Sequence, residues 1–139
     1  MWSGRRGYEV EEPLSWILAL VALIFAFEGF RALNPSHLLS PTIVGVVIGF
    51  VFHELAHRSV ARMYGMSASF IAFIPGLILT FISGFLPIKI IAPGYVKTIS
   101  LYGFPSPRGV LYSVAAGPLT NIVISAASLT LEYIIGYSW

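Results

Sequence analysis

The chain has 139 residues, 57% of them hydrophobic and only 10% charged, with a formal net charge of +2. Ordinary soluble domains carry roughly 25% charged residues, and a chain this short could not hide so much apolar surface from water. Composition therefore excludes an ordinary soluble domain, makes a lipid bilayer the expected partner, and gives no basic footprint for nucleic acid.

Residues 1–12 are polar and mixed in charge, and the apolar run after them lacks a small-residue cleavage pattern. That run reads as a retained helix, not a removable signal peptide. Pro13 suits a first helical turn. Residues 14–27 are nearly all apolar, and the helix can continue to Leu33. About twenty residues at 1.5 Å each match a hydrocarbon core of about 30 Å, so this is the first span. Residues 34–39 form a short loop. Ser40 and Pro41 then supply an N-cap and a first-turn proline. The apolar residues 42–52 lead into a polar motif, and the helix is expected to continue to Tyr64, with Gly65 as its stop. Gly45, Gly49, His53 and His57 recur every four residues in this second span. Its glycines would let another helix approach the histidine face, either as plain packing or to shape a site.

Residues 67–95 are harder to read. No charge occurs from 67 through 88, yet Pro75-Gly76, Gly84 and Pro87 interrupt the run. We expect a strand near 70–74, a short re-entrant or interfacial helix at 75–86 of about 18 Å, and a second strand near 88–91. The alternative is an additional crossing. Arg58 and Arg62 precede the stretch, and Lys89, Lys97 and Arg108 follow it. Basic flanks on both sides argue against a single crossing between them. Arg5 and Arg6 place the N-terminus on that same, cytoplasmic side. Ser106-Pro107 caps the last helix, and residues 110–135 form the third span, with a kink expected at Gly117-Pro118. The expected class is an all-α membrane protein. It has about three transmembrane helices and a short β-hairpin or re-entrant element between the second and third. The whole is one membrane-embedded domain, 1–139, multi-pass in the cell membrane.

The chemistry concentrates in His53-Glu54-Leu55-Ala56-His57. Two histidines four apart lie about 40° from each other around a helix, so both imidazoles leave one face. Zn2+ needs neutral nitrogen ligands at about 2 Å, and this spacing supplies two on a rigid element. Glu54 can act as general base toward a water polarised by the metal, and then as proton donor to a leaving amine. Each group also has a plain reading. The histidines could be satisfied polar residues of a bundle, and Glu54 could pair with Arg58 one turn on. Ionisable groups inside a span are costly and tend to mark function, which favours metal and catalysis. Asn121 lies one turn after Gly117-Pro118. A helix–helix hydrogen bond is its simpler reading, and stabilisation of an oxyanion is the catalytic one.

The chain has no cysteine and no aspartate, and its acids are Glu9, Glu11, Glu12, Glu28, Glu54 and Glu132. Neither disulfides nor a thiolate metal site is possible. Glu28 is expected at the opposite interface. Glu132 is eleven residues past Asn121, about 17 Å along the helix and away from the metal depth. His37 reads as an interfacial loop residue.

Phe52-His53-Glu54-Leu55-Ala56-His57 late in one apolar helix, paired with Ala116-Gly117-Pro118-Leu119-Thr120-Asn121 in a later one, resembles the site-2 protease family of intramembrane zinc metalloproteases. The intervening Ile91-Ala92-Pro93-Gly94-Tyr95-Val96 resembles the segment such proteins place before the later helix, and the likeness covers about residues 40 to 130. The resemblance implies regulated cleavage of transmembrane protein substrates, with His53 and His57 as zinc ligands, Glu54 as catalytic base and Asn121 assisting substrate or transition state. It also implies that strands near 68–74 and 88–96 pair with an unwound substrate. In that family an aspartate on a further helix completes the zinc site. This chain has none, so the expectation is a protease core truncated at its C-terminus. The alternative is a catalytically inactive protease-like membrane protein that binds transmembrane segments. A metal carrier is a third option with too few ligands.

Overall fold

Pro13 opens the first of four helices in the computed structural model, which describes residues 12–100, 103, 104 and 106–136. In chain order the elements are α1 (Leu14–Glu28), two 3-10 turns (Gly29–Leu33 and Pro35–His37), α2 (Pro41–Met63), β1 (Met66–Ala72), α3 (Ile74–Ser83), β2 (Gly94–Ser100) and α4 (Pro107–Ile135). The polar N-terminal segment read from the sequence lies, up to residue 11, outside the described residues. The fold is mostly helical, with a two-stranded antiparallel sheet of β1 and β2 between the second and last long helices.

Local chemistry accounts for the helix ends. Ser40 Oγ accepts from the amide of Ile43 at 3.3 Å and Ser106 Oγ from that of Gly109 at 3.4 Å, each just before a proline in the first turn. At the other ends, Gly65 (φ 73°) and Gly136 (φ 64°) take the left-handed conformation that a side chain resists. Gly29 (φ 59°) ends α1, and the chain tightens into a 3-10 turn up to Leu33.

Among the described residues three stretches are long and apolar enough to cross a membrane: Leu14–Leu33, Pro41–Met63 and Pro107–Ile135, of 20, 23 and 29 residues. Their most apolar windows are only 22%, 11% and 6% buried within the protein. Leu111, Val114, Leu119, Ile122 and Val123 of α4 are all exposed. Apolar surface on that scale needs lipid or protein to cover it. α3 has ten residues, about 15 Å, too short for a further crossing.

The chain divides into two compact units. One comprises residues up to Val47 with 69–97, and the other 48–68 with the residues from 98 on. In the first unit α1 packs on α3 through small residues: Ala19, Ala22 and Ala26 are buried. Phe25 stacks on Phe81 at 5.0 Å and Phe30 on Phe85 at 5.2 Å between ring centroids. A Cβ at Gly84 would press on the Phe25 backbone, within 3.1 Å of its carbonyl carbon, so the two backbones meet there without side chains between them. Glu12 Oε1 accepts from both the Trp16 indole and the Phe70 amide at 2.8 Å, tying the start of α1 to β1.

The second strand is not where the β-branched run at 88–91 placed it. That run wraps back on the end of α3 instead. Lys89 Nζ donates to the carbonyls of Ser83, Gly84 and Leu86 at 3.3–3.4 Å, satisfying acceptors that a helix end leaves open. Thr80 Oγ1 accepts from the Ala92 amide at 3.0 Å, and Ser83 Oγ lies 3.4 Å from the Ile90 carbonyl. With those backbone groups engaged by α3, pairing begins only at Pro93, whose carbonyl accepts from Phe73 at 3.0 Å. The first strand begins at Met66, earlier than expected, and α3 ends at Ser83, not at 86.

Thr80 is fully buried. Thr80→Val keeps its shape and strands the Ala92 amide, so it should destabilise the protein by about 1–3 kcal/mol, read from denaturant unfolding in micelles.

Candidate metal centre

In the second unit α2 and α4 run antiparallel along rows of residues four apart. Gly49 faces Asn121, and His53 and His57 face Gly117. His57 also meets Ser113, and Tyr64 lies over Gly109 with its ring 5.9 Å from Tyr112. From Gly49 to His57 steps of four along α2 are matched by steps of four back along α4, and Tyr64, just past the end of α2, meets Gly109. The row on α4 is Gly109, Ser113, Gly117, Asn121: small residues that let the backbones approach, then an amide. Gly109, Ser113 and Gly117 are all buried. A Cβ placed at Gly45, the first residue of the four-spaced row expected on α2, meets no described residue within 4 Å.

The seam holds the predicted motif. One ligand-capable atom from each of His53, Glu54 and His57 lies within 4.8 Å of the others. The two imidazoles stand edge to face, with centroids 4.7 Å apart and an 80° angle between planes. His57 Nδ1 lies 2.5 Å from the carbonyl oxygen of Ser113. A carbonyl only accepts, so Nδ1 carries the proton and Nε2 keeps a free lone pair. The amide of Asn121 lies 3.0 Å from His53 Nδ1. Among the described residues, the buried side-chain polar atoms without a hydrogen-bond partner are Glu54 Oε2 and Asn121 Oδ1, and both are here.

A divalent metal such as zinc fits these groups. A Cβ at Gly117 would lie 2.6 Å from His53 Nε2 and closer still to His57 Nε2, so the missing side chain leaves a space between the two nitrogens. Zinc–imidazole bonds are about 2.0–2.1 Å, a similar reach. Glu54 Oε2 is the kind of buried acceptor that a water or a metal satisfies.

The structure thus brings His53, Glu54 and His57 together, with Asn121 against His53. Glu28, Glu132 and His37 are outside the cluster. Glu28 instead accepts from Ser40 Oγ at 3.3 Å, and His37 sits in an exposed 3-10 turn. Sequence reading missed Ser113, which acts through a backbone carbonyl and so leaves no side-chain signature. It also missed the steric part of Gly109 and Gly117, although the four-residue spacing of small residues was a readable signal.

A curated protein of Methanocaldococcus jannaschii named "Putative zinc metalloprotease MJ0611" is 39% identical to this chain over 106 residues, 76% of its length. The chain spans about half, 52%, of the length of that relative. No family model matches the chain, and no solved structure matches it at a significant level.

Gly117→Ala should leave helix content unchanged, since alanine favours a helix over glycine by about 1 kcal/mol. Its methyl group would occupy the space between the two Nε2 atoms. Zinc affinity, measured by chelator competition against the unsubstituted chain, should fall about tenfold or more.

Proposed function

We propose that this chain is the core of an intramembrane zinc metalloprotease, which hydrolyses peptide bonds of transmembrane protein substrates in regulated intramembrane proteolysis. The observation that carries the reading is the convergence of two imidazoles and an orphaned, buried Glu54 carboxylate oxygen in a helix apolar enough to span. The similarity to a relative named as a zinc metalloprotease supports it.

In this proposal His53 and His57 hold the metal through Nε2. Zinc, when bound there, supplies a Lewis acid for the scissile carbonyl and for water. Glu54 takes a proton from the attacking water on Oε2 and later gives it to the leaving amine, and burial keeps that carboxylate from bulk solvent. Two imidazoles leave positions on zinc to water, substrate or a ligand outside these residues. A substrate helix hides its carbonyls and must be extended before hydrolysis. Strand β2, more exposed than β1, would receive such a segment by strand addition, whereas the Phe70 amide of β1 is already held by Glu12.

We place the protein in the cell membrane with its N-terminus in the cytoplasm. Arg5, Arg6, Arg58, Arg62, Lys89, Lys97 and Arg108 support this, against Arg31 alone in the first opposite loop. The chain has no cysteine, so single replacements report cleanly. Ser67→Cys should react with an impermeant maleimide from the cytoplasmic side and Ser36→Cys from the other. The reverse pattern would overturn the orientation.

The test of activity is cleavage of a single-span substrate in proteoliposomes. Glu54→Gln should lower the rate about 100- to 10,000-fold and leave zinc bound. Undiminished cleavage removes Glu54 as base, and lost zinc makes it a ligand. Stable capture of uncut substrate by the unsubstituted protein would make it a transmembrane-segment binder and not an enzyme.

A further inference from the structure

We propose that Asn121 is a positioning residue for His53. Its side-chain oxygen accepts the Nδ1 proton of His53 and holds the ring in the tautomer that leaves Nε2 bare for a metal. The inference rests on the zinc-site reading, and its first readout is independent of metal.

The two histidines are served by the same face of α4. Ser113 and Asn121 flank Gly117 by one four-residue step on either side, and each offers its group to an imidazole Nδ1: the Ser113 carbonyl to His57 at 2.5 Å, the Asn121 amide to His53 at 3.0 Å. Both Nε2 atoms then point at Gly117. For His57 the tautomer is dictated, because a carbonyl cannot donate. For His53 the partner is an amide, which can do either.

The two choices are chemically unequal. With the NH2 toward Nδ1, a neutral His53 carries its proton on Nε2, between the other imidazole and Gly117. The Asn121 oxygen is then buried without a partner. Turning the amide half a turn about its last bond exchanges two groups of nearly equal size. The oxygen now accepts from Nδ1–H at the same contact and both Nε2 lone pairs converge on one point. The NH2 moves to the buried place the oxygen held, so it is the metal-binding tautomer, not the number of hydrogen bonds, that favours the turn. A metal on His53 Nε2 imposes the second choice outright, because Nδ1 of a neutral ligand imidazole is an N–H. The NH2 then lies on the Gly49 side of the seam, where a Cβ at Gly49 would come within 3.9 Å of the place the oxygen held. In that position it holds a ring and does not reach for an oxyanion.

Nitrogen NMR of the 139-residue chain with 15N-labelled histidine reads the tautomers directly. In metal-free micelles, above the pH range where imidazole titrates, His53 and His57 should both show Nδ1–H. Asn121→Leu should return His53 to the Nε2–H form that imidazole prefers in water, leave His57 as Nδ1–H, and weaken zinc binding about 10- to 100-fold. The unchanged His57 signal certifies that the seam is intact. Asn121→Asp keeps an acceptor and loses the donor, so it should preserve the His53 tautomer and zinc binding. Two results would overturn the proposal: His53 as Nε2–H in the unsubstituted chain, or an Asn121→Leu chain with tautomer and zinc affinity unchanged. Correct tautomers in a chain that takes up no zinc even from excess metal would count against the zinc site while leaving Asn121 in its positioning role.

Discussion

The site depends on how closely the backbones of α2 and α4 approach. An imidazole ring can reach the carbonyl of Ser113 only because the neighbouring positions on α4, Gly109 and Gly117, present no side chain to α2. In lipid, apolar side chains gain little by burying against one another, so association of helices relies on close packing and on polar groups that find partners. Small residues supply the first, and the histidines, the Ser113 carbonyl and Asn121 supply the second. Packing and chemistry thus use the same residues. A substitution that loosens the seam also dismantles the centre.

Polar groups placed in an apolar helix constrain their own surroundings. An unpaired donor or acceptor away from water costs several kcal/mol in hydrocarbon, and among the described residues all but two of the buried side-chain polar atoms are matched. Ser83, Ser113, Ser128 and Thr130 all return their hydroxyl to a carbonyl three or four residues back. Against that background two unmatched oxygens, Glu54 Oε2 and Asn121 Oδ1, on facing helices at one level, are a chemical signal and not packing noise. Glu54 Oε2 is placed to take a proton, and the Asn121 amide can offer either its oxygen or its NH2 to His53 Nδ1.

Much of this was legible in the chain. Serine-proline pairs marked the starts of α2 and α4, Gly65 marked the end of α2, and a spacing of four put both histidines on one face. These features are local, and a helix in lipid follows its local rules closely because its backbone has no other donors to choose from. The second strand was less legible. Ile88, Ile90 and Ile91 have strand propensity, but Thr80, Ser83 and Lys89 engage that backbone through contacts distant in sequence, and tertiary partners override propensity. The role of Ser113 was not legible at all, since every residue has a carbonyl and only geometry shows which one is used.

The four-residue row also explains where the site can be. Residues four apart advance about 400° around a helix, so such a row drifts by about 40° at each step. Two helices packed along rows of this kind cross at an angle, and their close contact lasts only a few turns. Here it runs from Gly49 on α2 to Tyr64 just past its end, and from Gly109 to Asn121 on α4. Past Asn121 the side chains of Ile122, Val123, Leu129 and Leu131 are exposed. The histidines occupy the middle of that stretch, where a Cβ at Gly117 would lie within 2.6 Å of both Nε2 atoms, and there the Ser113 carbonyl and the Asn121 amide, one step of four to either side of Gly117, are in reach of the two rings.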